Sequence, residues 1–190
     1  MARIVLVTGG CRSGKSAFAQ GLAESLPGRR VYVATCPVVD GEMRQRIRKH
    51  QEARAASHWD TIEEPMRLDS ALLSAGNYDV VLVDCLTLWI NNLMYQPRQR
   101  NGQDVSEEQV AQRCGEVLAV ACKHPGTVVF VTNEVGMGVV PENALARRYR
   151  DLVGRCNQVI AAGADIVALI SCGIPLFLKG STHELAARND

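Results

Sequence analysis

The chain has 190 residues, 47% of them hydrophobic, which is enough for a substantial core and most economically a single domain spanning 1–190. A net charge of +1 leaves no case for a protein that coats nucleic acid, whose footprint is a large basic excess. Seven cysteines, an odd number with no C-x-x-C pair, argue against a disulfide framework or a zinc knuckle and read as buried free thiols. The apolar start MARIVLVTGG is far too short to span a membrane and has no charged leader with a cleavage site, so the expected location is the cytoplasm.

Short β-branched runs alternate with longer amphipathic stretches along the chain. RIVLVT (3–8) reads as a strand and is followed by a helix over 15–26; RVYVAT (30–35) is followed by helices over 40–56 and 67–75. DVVLVD (79–84) leads into helices over 85–95 and 104–123, TVVFVT (127–132) into a helix over 143–162, and DIVALIS (165–171) closes the series. The five runs are nearly continuous in apolar residues, as strands buried on both faces are. IPLFLK (174–179) adds an edge strand, QPRQRNGQD (96–104) is a loop, and the tail STHELAARND is expected to fray. Strand, helix, strand in repetition gives right-handed crossovers and a mostly parallel sheet covered on both sides, with ligands beyond the carboxyl ends of the strands. GGCRSGKS after the first strand, Thr35-Cys36-Pro37 after the second, Asp84 and Asn133-Glu134 should therefore converge on one crevice.

The first of these pieces carries the strongest signal. Gly9, Gly10, Cys11, Arg12, Ser13, Gly14, Lys15 and Ser16 satisfy G-x-x-x-x-G-K-[ST] between a strand and a helix. Backbone N–H groups of such a loop surround nucleotide phosphates, Lys15 reaches the β/γ oxygens, and the Ser16 hydroxyl ligates Mg²⁺. Asp84, closing an apolar strand, stands where P-loop proteins keep the acid that holds the metal, a place that also suits a helix-capping Asp. The expected fold is accordingly α/β, a three-layer P-loop NTPase of RecA-like type with helices flanking a mostly parallel sheet. The loop alone does not say whether the nucleotide is hydrolysed, gives up a phosphoryl group, or contributes its other half. TNEVG (132–136) offers no guanine-reading N-K-x-D and no L-S-G-G-Q is present, so switch and transporter readings lose ground to a small-molecule transferase, with a nucleotide-dependent binding module as the alternative.

The block TNEVGMGVVPENALARRYRDLVGRCNQ (132–158), with GGCRSGKS (9–16), VATC (33–36), DGEMRQRIRKHQEAR (40–54) and HWDTIEEP (58–65), resembles the bifunctional adenosylcobinamide kinase/adenosylcobinamide-phosphate guanylyltransferase family. The resemblance runs over essentially 3–179. It implies that ATP or GTP phosphorylates adenosylcobinamide, and that GTP then gives GMP to adenosylcobinamide phosphate through a GMP-histidine intermediate. The position matching that nucleophile is His50. On pattern alone, Met43, Ile47 and His50 share one helical face, which describes a partly buried histidine; the resemblance assigns it to catalysis, with Arg46, Arg48, Lys49 and Arg54 offering charge to phosphates. By the same resemblance Ala34, Thr35, Cys36, Gln51, Glu52, Ala53, Arg54, Glu63 and Asp84 line the nucleotide, Glu63 being suited to guanine, and the assembly is a homotrimer. Asn133 and Glu134 either bind ligand or cap the next segment, and Arg147, Arg148, Arg150 and Arg155 read as a solvated helix face. His58-Trp59 is structural or substrate-facing, and His124 and His183 receive no role. Cys11 replaces an expected small residue such as Ala, and Asp84 stands where relatives carry Glu.

Overall fold

The computed structural model describes residues 2–36, 58–95 and 104–181. The five apolar runs form strands as expected: β1 (Arg3–Gly9), β2 (Arg30–Ala34), β4 (Val80–Asp84), β5 (Thr127–Val131) and β6 (Ile166–Ser171). Two more strands complete the sheet. The edge strand β7 (Ile174–Lys179) follows β6 through a tight hairpin, whose Cys172 and Gly173 both adopt positive φ (53° and 79°), the geometry that matches strand twist. β3 (Trp59–Glu63) was not anticipated: WDTIE lacks a continuous apolar run, because β3 is an edge strand left half-buried to exposed along its length.

The strand order is β3-β2-β4-β5-β1-β6-β7, with every pairing parallel except β6 with β7. β5 is therefore inserted between β1 and β4. Helices α1 (Lys15–Ser25), α2 (Leu68–Ser74), α3 (Leu86–Tyr95), α4 (Glu107–Ala121) and α5 (Ala144–Gly163) connect the strands. The expected helix over 40–56, the loop over 96–104 apart from its last residue, and the tail beyond 181 lie outside the described residues.

Side-chain alternation along the strands builds a core on each face of the sheet. Ile4, Leu6, Val81, Val83, Val128 and Phe130 point to one side, where α2, α3, α4 and α5 supply Leu72, Trp89, Val117, Leu152 and Ile160. Val5, Val7, Leu82, Val129, Val131 and Ile170 point to the other, against Ala19 of α1. The three layers are thus helices, sheet and helix, and α1 and α5 lie on opposite faces. Among the described residues no helix is long and apolar enough to cross a membrane.

Candidate active site

The turn from β1 into α1 is shaped by two glycines. A Cβ on Gly9 would stand 2.5 Å from the Ile170 carbonyl oxygen and 2.6 Å from Ser13 Oγ, so the strand end admits no side chain. Gly14 has φ +93°, the left-handed region that favours glycine, and its carbonyl accepts the Phe18 N–H that opens α1. No side chain caps α1 and its first turn holds no acid, so its positive end is directed at whatever sits in the turn. Lys15 arches back over the loop, with Nζ donating to the Gly10 carbonyl at 3.1 Å.

Both neighbours of β1 hold this loop. The hairpin after β6 donates its Gly173 N–H to the Ser13 carbonyl at 2.8 Å, and the chain beyond β5 donates the Glu134 N–H to the Gly9 carbonyl at 3.1 Å. Glu134 thus lies one strand from the phosphate loop. Asp84 is two strands away and Glu63 four, about 10 Å and about 19 Å at the usual spacing between strands. The order along the carboxyl edge therefore runs from phosphate grip, through Glu134 and Asp84, to Glu63 at the far side.

Asp84 accepts the Tyr32 hydroxyl on Oδ2 at 3.0 Å, which orients its carboxylate. Thr35 is fully buried and clamps the peptide after Asp84, its hydroxyl accepting the Cys85 N–H and donating to the Cys85 carbonyl, each at 2.8 Å. Asn92 of α3 in turn donates to the carbonyls of Thr35 (2.8 Å) and Pro65 (2.9 Å). Ala34 is the register partner of Asp84, and Cys36 is half-buried beside it. Glu63 is exposed, whereas Glu64 turns inward to accept the N–H groups of Met66 and Arg67, both at 2.9 Å.

The segment after β5 is more closely integrated than its sequence suggests. Thr132 Oγ1 donates to Asn157 Oδ1 at 2.6 Å and Asn157 Nδ2 donates to the Asn133 carbonyl at 3.2 Å, so α5 fixes the chain that delivers Glu134. Asn143 caps α5 by accepting the Ala146 N–H, whereas Glu134 Oε1 accepts the Gly136 N–H at 3.2 Å and so caps the turn that follows β5. Position in the sheet, invisible to local pattern, is what brings Asn133 and Glu134 beside the phosphate loop. Arg147 is exposed, as expected of a solvated face, and Arg148 is half-buried; both are nonetheless engaged. Arg147 donates to the carbonyls of Pro141 and Glu142, and Arg148 pairs with Asp104 and donates to the Val105 carbonyl.

Two histidines fall among the described residues, and both are remote from transfer chemistry. His58 precedes β3, at the amino end of the parallel sheet and so at the end opposite the phosphate loop; Trp59 beside it bonds Glu24 and meets Tyr32 edge to face. His124 is buried, its Nδ1 accepting the Gly126 N–H and its Nε2 facing the Ala75 carbonyl, each at 3.0 Å. His50, Gln51, Glu52, Ala53 and Arg54 lie outside the described residues.

Ser16 and Asp84 offer hard oxygen donors, and among the described residues no cluster of three or more His, Cys, Asp or Glu could hold a metal ion. That donor set suits Mg²⁺, which keeps water and phosphate oxygens in its shell and uses few protein ligands.

A parallel sheet with helices on both faces, a phosphate loop closing β1 and a strand inserted before the Asp84 strand define a P-loop NTPase of RecA-like type. A solved KaiC-like protein, PH0186 from Pyrococcus horikoshii OT3, shares this fold with a TM-score of 0.51 over 88% of this chain and 70% of its own, at 15% identity. The chain belongs to the cobinamide kinase / cobinamide phosphate guanyltransferase family, whose model matches residues 5–178. It is 41% identical to the bifunctional adenosylcobalamin biosynthesis protein CobU of Salmonella typhimurium over 93% of this chain and 99% of that one. The similarity extends to the protein CobP of Pseudomonas aeruginosa, of the same description, at 40% identity over 92% of this chain and 96% of the relative.

Proposed function

We propose that this protein, as one domain spanning 1–190 in the cytoplasm, carries out two transfers at one crevice: phosphorylation of adenosylcobinamide, and guanylylation of adenosylcobinamide phosphate. The observation that carries the reading is the juxtaposition of a phosphate loop with two carboxylates, Glu134 one strand away and Asp84 two. In the first reaction ATP or GTP lies in the loop, Lys15 and the amides of Gly9–Ser16 hold its phosphates, and the acceptor hydroxyl attacks the γ-phosphorus. The bond from the γ-phosphorus to the β-bridging oxygen breaks, the nucleoside diphosphate leaves with that electron pair, and the hydroxyl proton passes to Glu134. Mg²⁺, held by Ser16 and Asp84, supplies neutralisation of charge on the phosphate oxygens when bound.

In the second reaction a nitrogen of His50 attacks the α-phosphorus of GTP, and pyrophosphate leaves into the same phosphate grip. The phosphate of the acceptor then displaces the imidazole, giving adenosylcobinamide-GDP. The positions of the described histidines support His50 as nucleophile: His58 is at the wrong end of the sheet and His124 has both ring nitrogens engaged. Ala34, Cys36, Glu63 and the segment Gln51–Arg54 are assigned to the ribose and guanine side of the nucleotide, with Thr35 acting through the backbone it clamps. The working assembly is a homotrimer, a reading supported by the exposed apolar face of β7.

The test uses GTP labelled at the α-phosphate. Wild-type protein denatured during turnover is expected to carry label stable to base and released by acid, as a phosphoramidate is, and His50→Ala is expected to carry none. Normal labelling of His50→Ala would remove His50 from this role. Absence of label on the wild type, with cobinamide still phosphorylated, would reduce the protein to a simple kinase.

A further inference from the structure

Arg150 of α5 is a charged group to which the two transfers assign no role. Its Nη1 is buried and has no hydrogen-bond partner, and the guanidinium forms no hydrogen bond or ion pair among the described residues. Its neighbours behave differently: Arg147 and Arg148 are engaged with backbone carbonyls and Asp104. Arg150 as a residue is half-buried, but a charged donor nitrogen that is buried and unpartnered is unfavourable, and an anion reaching the guanidinium would satisfy it.

Its place in the fold indicates which anion. α5 begins after the loop that leaves the carboxyl end of β5 and ends just before β6, so it runs back from the carboxyl edge of the sheet to the amino edge. Asn157 lies on the face of α5 that bonds Thr132 and Asn133 at the end of β5. Arg150 precedes Asn157 by seven residues, or two turns, which puts it on the same face and about 10 Å further out, beyond the carboxyl edge. The phosphates of the nucleotide are the business of the loop and of α1, on the opposite face of the sheet from α5. An anion bound to Arg150 would therefore lie on the α5 side of the sheet, away from α1.

We propose that Arg150 binds the phosphate monoester of the acceptor during guanylyl transfer, holding two of its oxygens through the guanidinium fork while the third attacks. In that step the acceptor oxygen bonds to the α-phosphorus of the GMP adduct, the P–N bond breaks, and its electron pair returns to the imidazole nitrogen. The guanidinium offsets repulsion between the two anions and fixes the attacking oxygen. This inference rests on the two-step reading of the site.

The experiment isolates the GMP adduct of the full-length wild type, Arg150→Met and Arg150→Lys, and follows its discharge in a single turnover against the concentration of cobinamide phosphate. Arg150→Met is expected to form the adduct at close to the wild-type level but to need roughly tenfold more cobinamide phosphate or above for half-maximal discharge, the scale of one lost charged hydrogen bond. Arg150→Lys, a point charge without the fork, should recover part of this. Without ligand, Arg150→Met should melt no lower than the wild type, since the substitution removes a buried, unpartnered guanidinium nitrogen and keeps most of the apolar stem. Unchanged discharge in Arg150→Met overturns the proposal. So does loss of adduct formation at an unchanged melting temperature, which would place Arg150 on the nucleotide, and so does a clear drop in melting temperature, which would make it structural. A wild type that forms no adduct fails the two-step reading itself and takes this inference with it.

Discussion

Cys85 stands next to the proposed metal-holding Asp84, and its thiol is pushed up from 9.0 to about 11, first by burial and then by the Asp84 carboxylate, against the pull of its contact with Thr87. At neutral pH the thiol is therefore uncharged, so it adds no second anion beside the carboxylate and no competing soft ligand for the metal. The shift has a stability consequence. The folded chain holds this proton more tightly than the unfolded chain, so its contribution is fully present below pH 9 and is lost as pH rises towards 11. Over the whole window that is up to ~3 kcal/mol. Cys156, raised by its hydrogen bond with Cys114 and by burial, acts in the same direction. Denaturant titrations at pH 8 and at pH 10.5 should show the wild type losing more stability across the interval than Cys85→Ala loses. Whatever cavity the substitution opens is present at both pH values and cancels in the comparison; equal losses would show that the Cys85 proton does not contribute.

Between elements, the amino ends of β2, β4 and β5 are tied together by Asp79. Its carbonyl accepts the Thr127 N–H at 2.9 Å and its Oδ2 accepts the Arg29 N–H at 2.7 Å. A Cβ on Gly126 would stand 2.0 Å from that carbonyl oxygen, so Gly126→Ala must push β5 away from β4. We expect it to cost about 1–3 kcal/mol or more. Gly115, exposed within α4 with nothing within 4 Å of its missing Cβ, is the opposite case. There Ala should add about 0.5–1 kcal/mol. In thermal melts the two substitutions should move the midpoint in opposite directions by roughly 2–4 °C per kcal/mol; a Gly126→Ala protein that melts with the wild type would mean the joint has slack. The same distinction between local and distant causes explains what could be read from the chain. Five strands were legible because continuous apolar runs mark strands covered on both sides, and the phosphate loop because its spacing is local. β3 was not, since WDTIE is an edge strand with no such run. The contact of Glu134 with Gly9 depends on β5 entering between β1 and β4, a choice made by long-range packing. The carbonyl partners of Arg147 and Arg148 carry no side-chain signature at all, so a helix face read as solvated, as Arg147 and Arg155 indeed are, gave no sign of the bonds that Arg147 and Arg148 make.

At the scale of the whole molecule, the sheet ends at β7 in an edge that water does not suit. Ile174, Leu176 and Leu178 alternate along the strand, so all three share one face, and they are 70%, 58% and 60% exposed. An apolar edge strand invites pairing with another chain, and a protein that keeps one ordinarily covers it. A second copy of this chain is the occupant consistent with the proposed homotrimer. The location links assembly to chemistry, because the hairpin that begins β7 donates the Gly173 N–H to Ser13, and Gly173 Cα lies 3.1 Å from where a Cβ on Gly14 would be. A subunit seated on β7 would brace the phosphate loop from outside. Replacing Leu176 by Asp removes about 1.5–3 kcal/mol of apolar burial at each contact and adds the cost of desolvating a charge. Every 1.4 kcal/mol is a factor of about ten in association, so the assembly should dissociate at micromolar protein concentration. Sedimentation velocity should show the wild type at three times the chain mass and Leu176→Asp at one, with the melting transition of the single chain still cooperative. A variant that remains trimeric would move the contact away from β7, and a wild type that sediments as one chain would remove the trimer altogether. Should the variant dissociate, its GMP labelling at saturating GTP would report directly on whether the loop depends on its neighbour, and the contact through Gly173 predicts that it falls.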